Sequence, residues 1–339
     1  MAPPSPDGST PSSSSSMPRE LVARVFQHLP PIQFLQASAV TCRQFSFRWY
    51  VNAVFPASVT VPDDVSSLNE AINRLARSAE SGARGLLIVR PGTYQESVRV
   101  TQNCHILGLG RRDRIVVEAP GWESALVSAG LGAKSLVPRE LGWAGLSTGE
   151  DACVENLTLR CRNENMRGRC VYLVMGRIHL LRCCVEGGVV VSGYSTEPRL
   201  TECCIRGARG SGLHLTDHCR AMLHGNHVHS HGRHGILIDR HARPQIAHNE
   251  VHQNKACGIK VFHGVDGPRH LQKAPMDANA MAISFAEAVQ ALSNNSFDAN
   301  NDGDVSITPR YADSEAEIDL DCFDTGASEE DPEETACAD

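Results

Sequence analysis

The sequence predicts a mostly β fold, in which a short helical module precedes a solenoid built of stacked coils. Three observations predict it: a 23-residue repeat of short aliphatic strands, helical periodicity near the start of the chain, and termini without core-forming composition. The chain has 339 residues, 41% of them hydrophobic and 21% charged, so it can bury a sizeable core in one or two domains.

The two ends of the chain differ in composition from the rest. Residues 1–16 are rich in Pro and Ser and predict a disordered arm. Residues 312–339 contain twelve Asp or Glu and no Lys or Arg within a net charge of −7, so the body is mildly basic. We expect residues 311–339 to form a disordered acidic tail.

Cellular location is predicted from what the sequence lacks. No run of about 18 apolar residues and no apolar secretory leader are present, so neither a membrane span nor secretion is expected. Because the cysteine count of thirteen is odd, we expect reduced thiols that pack as small hydrophobic side chains. These features favour the cytoplasm or the nucleus.

Residues 17–55 have the pattern of three short helices. Leu21, Val25 and Leu29 recur at the spacing of one helical face, and Pro30-Pro31 ends that helix. So small a module buries little area alone, which predicts that its apolar stripe docks on a partner. The residues expected to dock are Pro18, Leu21, Val25, Phe26, Leu29, Ile32, Leu35 and Phe45.

This segment resembles an F-box. The similarity lies in Met17-Pro18-x-Glu20-Leu21, in Val25-Phe26-x-x-Leu29, and in Cys42-Arg43 with Phe45. The resemblance implies docking on the Skp-type adaptor of a cullin-RING ubiquitin ligase. A generic helical cap is the alternative.

From Val59 onward the pattern is β. A helix over residues 67–76, capped by Asp64 or Ser66, is expected to cover a sheet edge. A strand Gly85–Val89, a turn over Pro91–Tyr94, a strand from Ser97 to Val100 and a further strand from Cys104 are expected to follow.

A repeat then runs through residues 198–307. Its matched columns contain Leu200, Leu223, Ile246 and Leu292; Cys203, Asn226, Asn249 and Asn295; and Leu213, Ile236, Ile259 and Val305. Each column steps by 23, 23 and 46 residues, and a shorter copy places Cys183 twenty residues before Cys203. This period predicts a right-handed parallel β-helix over residues 59–310, with insertions near 129–150 and 264–290. Leucine-rich repeats are the alternative.

The Asn column has a predicted role at the corners of the coils. A short amide side chain can hydrogen-bond to the backbone of the neighbouring coil and tolerates left-handed dihedrals. Pro91-Gly92-Thr93-Tyr94-x-Glu96 and this ladder resemble F-box proteins with a pectin-lyase-like β-helix of the CASH type. The chain departs from that family in having fewer coils and an acidic tail in place of a zinc finger.

The resemblance implies a non-catalytic substrate receptor of a ubiquitin ligase, with no cofactor and no metal. Its partners would be the Skp-type adaptor, the cullin-RING scaffold and an unidentified substrate protein, and neither nucleic acid nor a membrane. The basic stripe expected to contact substrate is Arg206, Arg220, Arg243, His229 and His252.

Several sites compete with this interpretation. The repeat should stack His218 on His241 and His229 on His252, which suggests zinc but is better explained as an exposed His/Arg stripe. The pairs Cys183-Cys184 and Cys203-Cys204 cannot converge, because adjacent strand residues point to opposite faces.

Residues 298–304 resemble a calcium loop, but Pro309 stands where a bidentate Glu is needed, so a coil is predicted. A polysaccharide lyase or epimerase is the main functional alternative, and a scaffold without a ligase role is another. Glu197 is expected beneath Arg220 and Asp217 beneath Arg240, and the aligned columns contain no two carboxylates, which argues against an enzyme.

Overall fold

A computed structural model describes residues 51, 54–55, 57–78, 84–120, 123–128, 152–161, 169–194, 196–239, 242–264 and 292–310. Within these residues the complete helices are the α-helix α1 (Leu68–Ser78) and the 3-10 helix Arg112–Arg114, and Val51 and Val54 are also helical.

The strands are short and follow one another along the chain. They are β1 (Ser58–Val61), β2 (Gly85–Val89), β3 (Gly92–Tyr94), β4 (Val98–Val100), β5 (Cys104–Gly108), β6 (Ile115–Ala119), β7 (Leu126–Ser128), β8 (Cys153–Glu155), β9 (Thr158–Cys161), β10 (Arg169–Leu173), β11 (His179–Leu181), β12 (Cys184–Glu186), β13 (Gly188–Ser192), β14 (Arg199–Thr201), β15 (Cys204–Arg206), β16 (Leu213–Thr216), β17 (Met222–His224), β18 (His227–His229), β19 (Ile236–Ile238), β20 (Gln245–Ala247), β21 (Glu250–His252), β22 (Ile259–Gly264), β23 (Leu292–Ser293), β24 (Ser296–Asp298) and β25 (Val305–Arg310).

These strands form three parallel sheets, and from β2 onward successive strands belong to successive sheets. Sheet A has the order β1-β2-β5-β8-β11-β14-β17-β20-β23, sheet B has β3-β6-β9-β12-β15-β18-β21-β24, and sheet C has β4-β7-β10-β13-β16-β19-β22-β25. Each turn of the chain therefore contributes one strand to each sheet. The predicted parallel β-helix is confirmed, with eight three-stranded coils in the described part of the chain.

The strand register confirms the columns predicted from the repeat. Leu200 pairs with Leu223, Leu223 with Ile246, and Ile246 with Leu292. The 46-residue step therefore joins two neighbouring coils, and the extra residues lie between β22 and β23. Leu180 pairs with Leu200, so the shorter copy twenty residues upstream also keeps the register.

The core is made of aliphatic side chains that point inward from all three sheets. In sheet B the inward column contains Val185, Ile205, Val228 and Val251, none more than 1% exposed. Burial of such a side chain contributes about 1.5 to 3 kcal/mol, and stacking repeats the contact in every coil.

The Asn column forms the expected ladder between coils. The Asn226 Nδ2 atom donates to Asn249 Oδ1 at 2.8 Å, and Asn249 Nδ2 donates to Asn295 Oδ1 at 3.0 Å. The same Oδ1 atom of Asn249 accepts the backbone N–H of Asn226. The left-handed dihedrals were assigned to the wrong residue, because positive φ occurs one position earlier, at Gly225, His248 and Asn294.

The repeated Gly before the sheet C strands is required by close approach of the next coil. A Cβ atom on Gly235 would lie 2.7 Å from the carbonyl oxygen of Gly258, and one on Gly258 would lie 2.6 Å from that of Asp304. Neither distance is compatible with a side chain, so the repeat needs Gly at these corners.

Helix α1 closes the first end of the core, and its boundaries differ from the predicted 67–76. Leu68, Ile72 and Leu75 are buried against the first strands. The cap is Ser67, rather than Asp64 or Ser66, and its Oγ atom accepts the Glu70 N–H at 3.3 Å. The Glu96 carboxylate also accepts the Leu68 N–H at 2.7 Å, a favourable position at the positive end of the helix.

One predicted turn is a strand. Gly92–Tyr94 pairs with Ile115–Val117, although Pro91–Tyr94 was expected to form a turn. A corner of this solenoid needs only one or two residues, so the change of direction is completed at Arg90 and Pro91 and pairing resumes at Gly92.

The predicted three-helix module is not shown. Residues 17–50 lie outside the described residues, and of residues 51–55 only Val51, Val54 and Phe55 are described. Their side chains pack on the outer face of sheet A, against Leu86, Ile88 and Leu107. In the described ranges, no helix is both long enough and apolar enough to cross a membrane.

Candidate functional site on the outer face of sheet B

The outer face of sheet B presents two columns of chemically versatile side chains. Alternate residues of each strand point away from the core, so positions two apart share this face. One column contains Thr158, Cys184, Cys204, His227, Glu250 and Ser296, and the other contains Arg160, Glu186, Arg206, His229, His252 and Asp298.

An imidazole and a carboxylate are in contact across two adjacent strands of the last coils. The Nδ1 atom of His227 lies 2.7 Å from Glu250 Oε2, and both side chains are 54% exposed. Because the carboxylate occupies Nδ1, the Nε2 atom is the ring position that can exchange a proton with a ligand. This is the arrangement by which a carboxylate orients a general base.

Two guanidinium groups hold a carboxylate beside this pair. The Glu186 carboxylate accepts hydrogen bonds from Arg160 Nε and from Arg206 Nη2, the second at 2.6 Å. Partial burial pushes the pKa of Glu186 upward, but the hydrogen bonds from the two arginines outweigh burial and lower it. Arg206 keeps further N–H donors on a side chain that is 49% exposed.

Two imidazoles stack on the same face, as the repeat predicted. The rings of His229 and His252 have centroids 4.9 Å apart and are nearly parallel, with an interplanar angle of 4°. His229 Nε2 also lies 3.6 Å from the Cys204 Sγ atom, and its Nδ1 lies 3.0 Å from Ser230 Oγ. The predicted stack of His218 on His241 stays a prediction, because His241 lies outside the described residues; the His218 ring stacks on Tyr194.

The double cysteines separate as strand geometry requires. Cys183 and Cys203 are fully buried and donate to backbone carbonyl oxygens, whereas Cys184 and Cys204 lie side by side on the outer face.

No group of three or more His, Cys, Asp or Glu side chains in the described ranges is arranged to hold a metal ion. Residues 296–310 form a coil, and Asn254 Nδ2 donates to Asn300 Oδ1.

The predicted basic stripe divides between two parts of the surface. Arg206, His229 and His252 follow one another in sheet B. Arg220 and Arg243 instead lie at the corner between sheets C and A, where the Arg220 Nη1 atom is 3.8 Å from Glu197 Oε1. The five residues therefore do not form one surface.

The prediction that no column contains two carboxylates is wrong once the coils upstream of the aligned repeats are included. The register places Glu118, Arg160, Glu186 and Arg206 in one column, and Asp298 follows His252 in the same column. The upstream coils were not aligned in the sequence because their lengths differ. Basic residues separate the upstream carboxylates.

His227 and Glu250 were missed by sequence reasoning. Both lie two positions before the predicted His229 and His252, on the same face of the same strands. Strand parity together with the 23-residue step would have found the pair. The predicted docking residues, Pro18 to Phe45, lie outside the described residues.

Comparisons with known proteins agree with this architecture. The family described as right handed beta helix region matches residues 153–271. The chain contains a right-handed parallel β-helix. No curated protein matches it.

Two solved structures are similar in fold. A tailspike protein gp49 from Acinetobacter baumannii bacteriophage Fri1, a capsular polysaccharide depolymerase, is 10% identical with a TM-score of 0.45, covering 76% of this chain and 47% of that chain. ORF18 of Geobacillus virus E2 is 8% identical with a TM-score of 0.35, covering 79% and 64%. The β-helix thus spans about half to two thirds of the length of these chains, and similarity at this level concerns the fold alone.

The prediction of a non-catalytic receptor is corrected by the first of these structures. That prediction treated the β-helix as a surface for binding a protein, yet a polysaccharide depolymerase has the same kind of architecture. None of the comparisons supports the F-box, SCF or ubiquitination assignments.

Proposed function

We propose that this chain is a β-helix enzyme that acts on an acidic polysaccharide by removing the proton next to a uronate carboxylate. The observation that carries the proposal is the exposed His227–Glu250 pair, with its 2.7 Å contact between Nδ1 and Oε2. Such a pair supplies an oriented base on a surface that a long polymer can reach.

Arg206 supports the choice of an acidic sugar. It lies one strand from His227 and two positions from Cys204, with its side chain half exposed. A guanidinium group can pair with the uronate carboxylate and stabilise the negative charge that develops when the adjacent proton leaves.

The reaction would proceed as follows at the chain's own residues. The His227 Nε2 atom accepts the C5 proton, and the electrons of the broken C–H bond form the C4–C5 double bond as the C4–O bond breaks. The departing oxygen takes a proton from water. Return of a proton to C5 from the other face, without loss of the C4 oxygen, would give epimerisation instead.

Hydrolysis by paired carboxylates is less well supported. A glycoside hydrolase needs one carboxylic acid and one carboxylate flanking the scissile bond. Of the carboxyl groups on this face, Glu186 is held by two arginines and Glu250 by His227, while Glu118 and Asp298 lie toward opposite ends of the sheet.

The proposal is tested by incubating the full chain with polyuronates and acidic capsular polysaccharides in heavy water. A lyase gives ultraviolet absorbance from the unsaturated product, and an epimerase gives deuterium at C5. His227→Ala should reduce kcat/KM about 100-fold or more, as expected for loss of a general base.

His224→Ala is the matched control, because His224 is an exposed histidine on sheet A whose ring lies near His248. This variant should retain wild-type turnover. Equal turnover by wild type and His227→Ala, or no double bond and no deuterium with any acidic glycan, would refute the proposal.

The Skp-type adaptor, the cullin-RING scaffold and the cytoplasmic or nuclear location stay predictions. Changing Leu21 and Leu29 together to Asp tests the docking segment, since two charges on its apolar stripe should abolish adaptor capture. Adaptor binding by that double variant would reject the docking segment.

A further inference from the structure

Two thiols meet on the outer face of sheet B. Cys184 and Cys204 are directly paired in adjacent parallel strands, and both side chains project from the outer face. Cys184 is 7% exposed, whereas Cys204 is partly exposed. A reagent from solvent therefore reaches Cys204 first.

The charged groups around Cys204 favour its thiolate. The Cys184 thiol donates to it, His229 Nε2 lies 3.6 Å from its sulfur, and Arg206 is two residues away on the same strand. The hydrogen bond from Cys184 lowers the pKa of Cys204 most, His229 and Arg206 lower it further, and together they outweigh burial to give about 5. On the neighbouring strands the site also faces Glu186, which Arg206 binds, and the His227–Glu250 pair.

We propose that Cys204 is a peroxide-reactive thiol and that Cys184 resolves its oxidised form, so that this face carries a reversible disulfide. The proposal rests on two thiols at paired positions of adjacent strands, beside an imidazole and a guanidinium, and it is independent of the proposed enzyme activity. Reactive cysteines characteristically occupy partly exposed, electropositive positions of this kind.

The chemistry balances with hydrogen peroxide as the oxidant. The Cys204 thiolate attacks one peroxide oxygen, the O–O bond breaks, and the products are the Cys204 sulfenic acid and hydroxide. The Cys184 thiol then attacks the Cys204 sulfur and a disulfide forms. The sulfenic hydroxyl group takes the proton of the Cys184 thiol and leaves as water. A dithiol reductant restores both thiols.

The backbone allows this bond. Adjacent strands lie about 4.8 Å apart, inside the range of about 4.4 to 6.8 Å found between the Cα atoms of disulfide-bonded cysteines. A small approach of the two side chains is enough, because both already project from the same face.

The test uses the folded full chain and peptide mass spectrometry. At pH 6 iodoacetamide should alkylate Cys204 at least about tenfold faster than Cys161, because the rate follows the thiolate fraction. Cys161 is the matched control: its pKa is lowered by a hydrogen bond from Cys170, and its other described contacts are carbonyl oxygens of Glu123 and Arg169. Brief treatment with peroxide should then give a Cys184–Cys204 disulfide that dithiothreitol removes.

Three variants separate the roles. Cys184→Ser should stop the reaction at a Cys204 sulfenic acid that dimedone traps, and Cys204→Ser should leave Cys184 unmodified. His229→Asn should move the pH of half-maximal Cys204 alkylation upward, because the imidazole helps to lower the pKa of this thiol. Alkylation of Cys204 no faster than that of Cys161 in the wild-type chain, or peroxide treatment that leaves Cys204 reduced, would overturn the proposal whatever the outcome of the polysaccharide assays.

Discussion

Two His–Glu pairs lie on the outer faces of the solenoid, and they differ most in burial. On sheet A the Nε2 atom of His105 lies 2.9 Å from Glu155 Oε2, with side chains 5% and 0% exposed. On sheet B the Nδ1 atom of His227 lies 2.7 Å from Glu250 Oε2, with both side chains 54% exposed. Similar contacts therefore occur in two very different environments.

Other side chains of the protein contact both members of the buried pair. Arg182 Nη2 lies 2.7 Å from Glu155 Oε1, and Phe55 packs edge-on against the His105 ring at 6.0 Å. Burial lowers the pKa of His105 most strongly, against the opposing effect of the Glu155 hydrogen bond. A buried carboxylate of this kind depends on its partners for stability.

The exposed pair contributes little to stability, which leaves it available for chemistry. Solvent screens its attraction, and the Nε2 atom of His227 can still reach a ligand. The comparison teaches that the contact distance does not distinguish the two pairs, whereas exposure does.

Glu155→Gln should have the largest effect of the changes that test this comparison. It removes the charge from the buried site while Arg182 and His105 remain, so we expect a loss of about 3 kcal/mol in the free energy of unfolding. Urea unfolding followed by circular dichroism measures it.

Glu250→Gln is the control for that experiment, and it should change the free energy of unfolding by less than about 1 kcal/mol. Equal losses in the two variants would show that burial does not distinguish the pairs.

Sequence reasoning predicted the solenoid because its inward positions repeat at a fixed step. Ile236 lies between Leu213 and Ile259, as the 23-residue columns indicated, and all three are fully buried. Inward positions are constrained by packing in every coil, so their pattern is visible in a single sequence.

The outward positions were predicted less well. His229 and His252 were found because they repeat by residue type, but His227 and Glu250 differ in type and were overlooked. The contact between His105 and Glu155 joins residues fifty apart across an irregular coil, so no constant period indicates it.

His231 provides the second test, because it is a buried imidazole whose ring is hydrogen-bonded to backbone groups. The Ala208 N–H donates to its Nδ1, and its Nε2–H donates to the Ile205 carbonyl oxygen at 3.1 Å. Burial lowers its pKa from 6.5 to about 4. As the pH falls from 6.5 toward 4, the unfolded chain binds a proton that the folded ring does not, so this contribution to stability is lost.

His231→Asn should remove that pH dependence, since the next two coils carry Asn254 and Asn300 at the same corner. Between pH 7 and pH 4.5 the wild type should lose about 2 to 3 kcal/mol more of its free energy of unfolding than the variant does. Urea unfolding at both pH values measures the difference, and parallel losses in the two proteins would contradict it.

The smallest effect is expected in the coupling between His227 and Glu250. A double-mutant cycle with His227→Ala and Glu250→Ala should give a coupling energy of about 0.2 to 1 kcal/mol at low salt, because both side chains are half exposed. At 1 M salt the Debye length falls to about 3 Å, so this coupling should approach zero. The corresponding cycle for His105 and Glu155 should give a larger coupling that salt barely changes, since solvent ions cannot enter between side chains that are 5% and 0% exposed. If the sheet B coupling instead proved large and insensitive to salt, the pair would be structural like its counterpart on sheet A, and the base assigned to His227 would have to be sought elsewhere on this face.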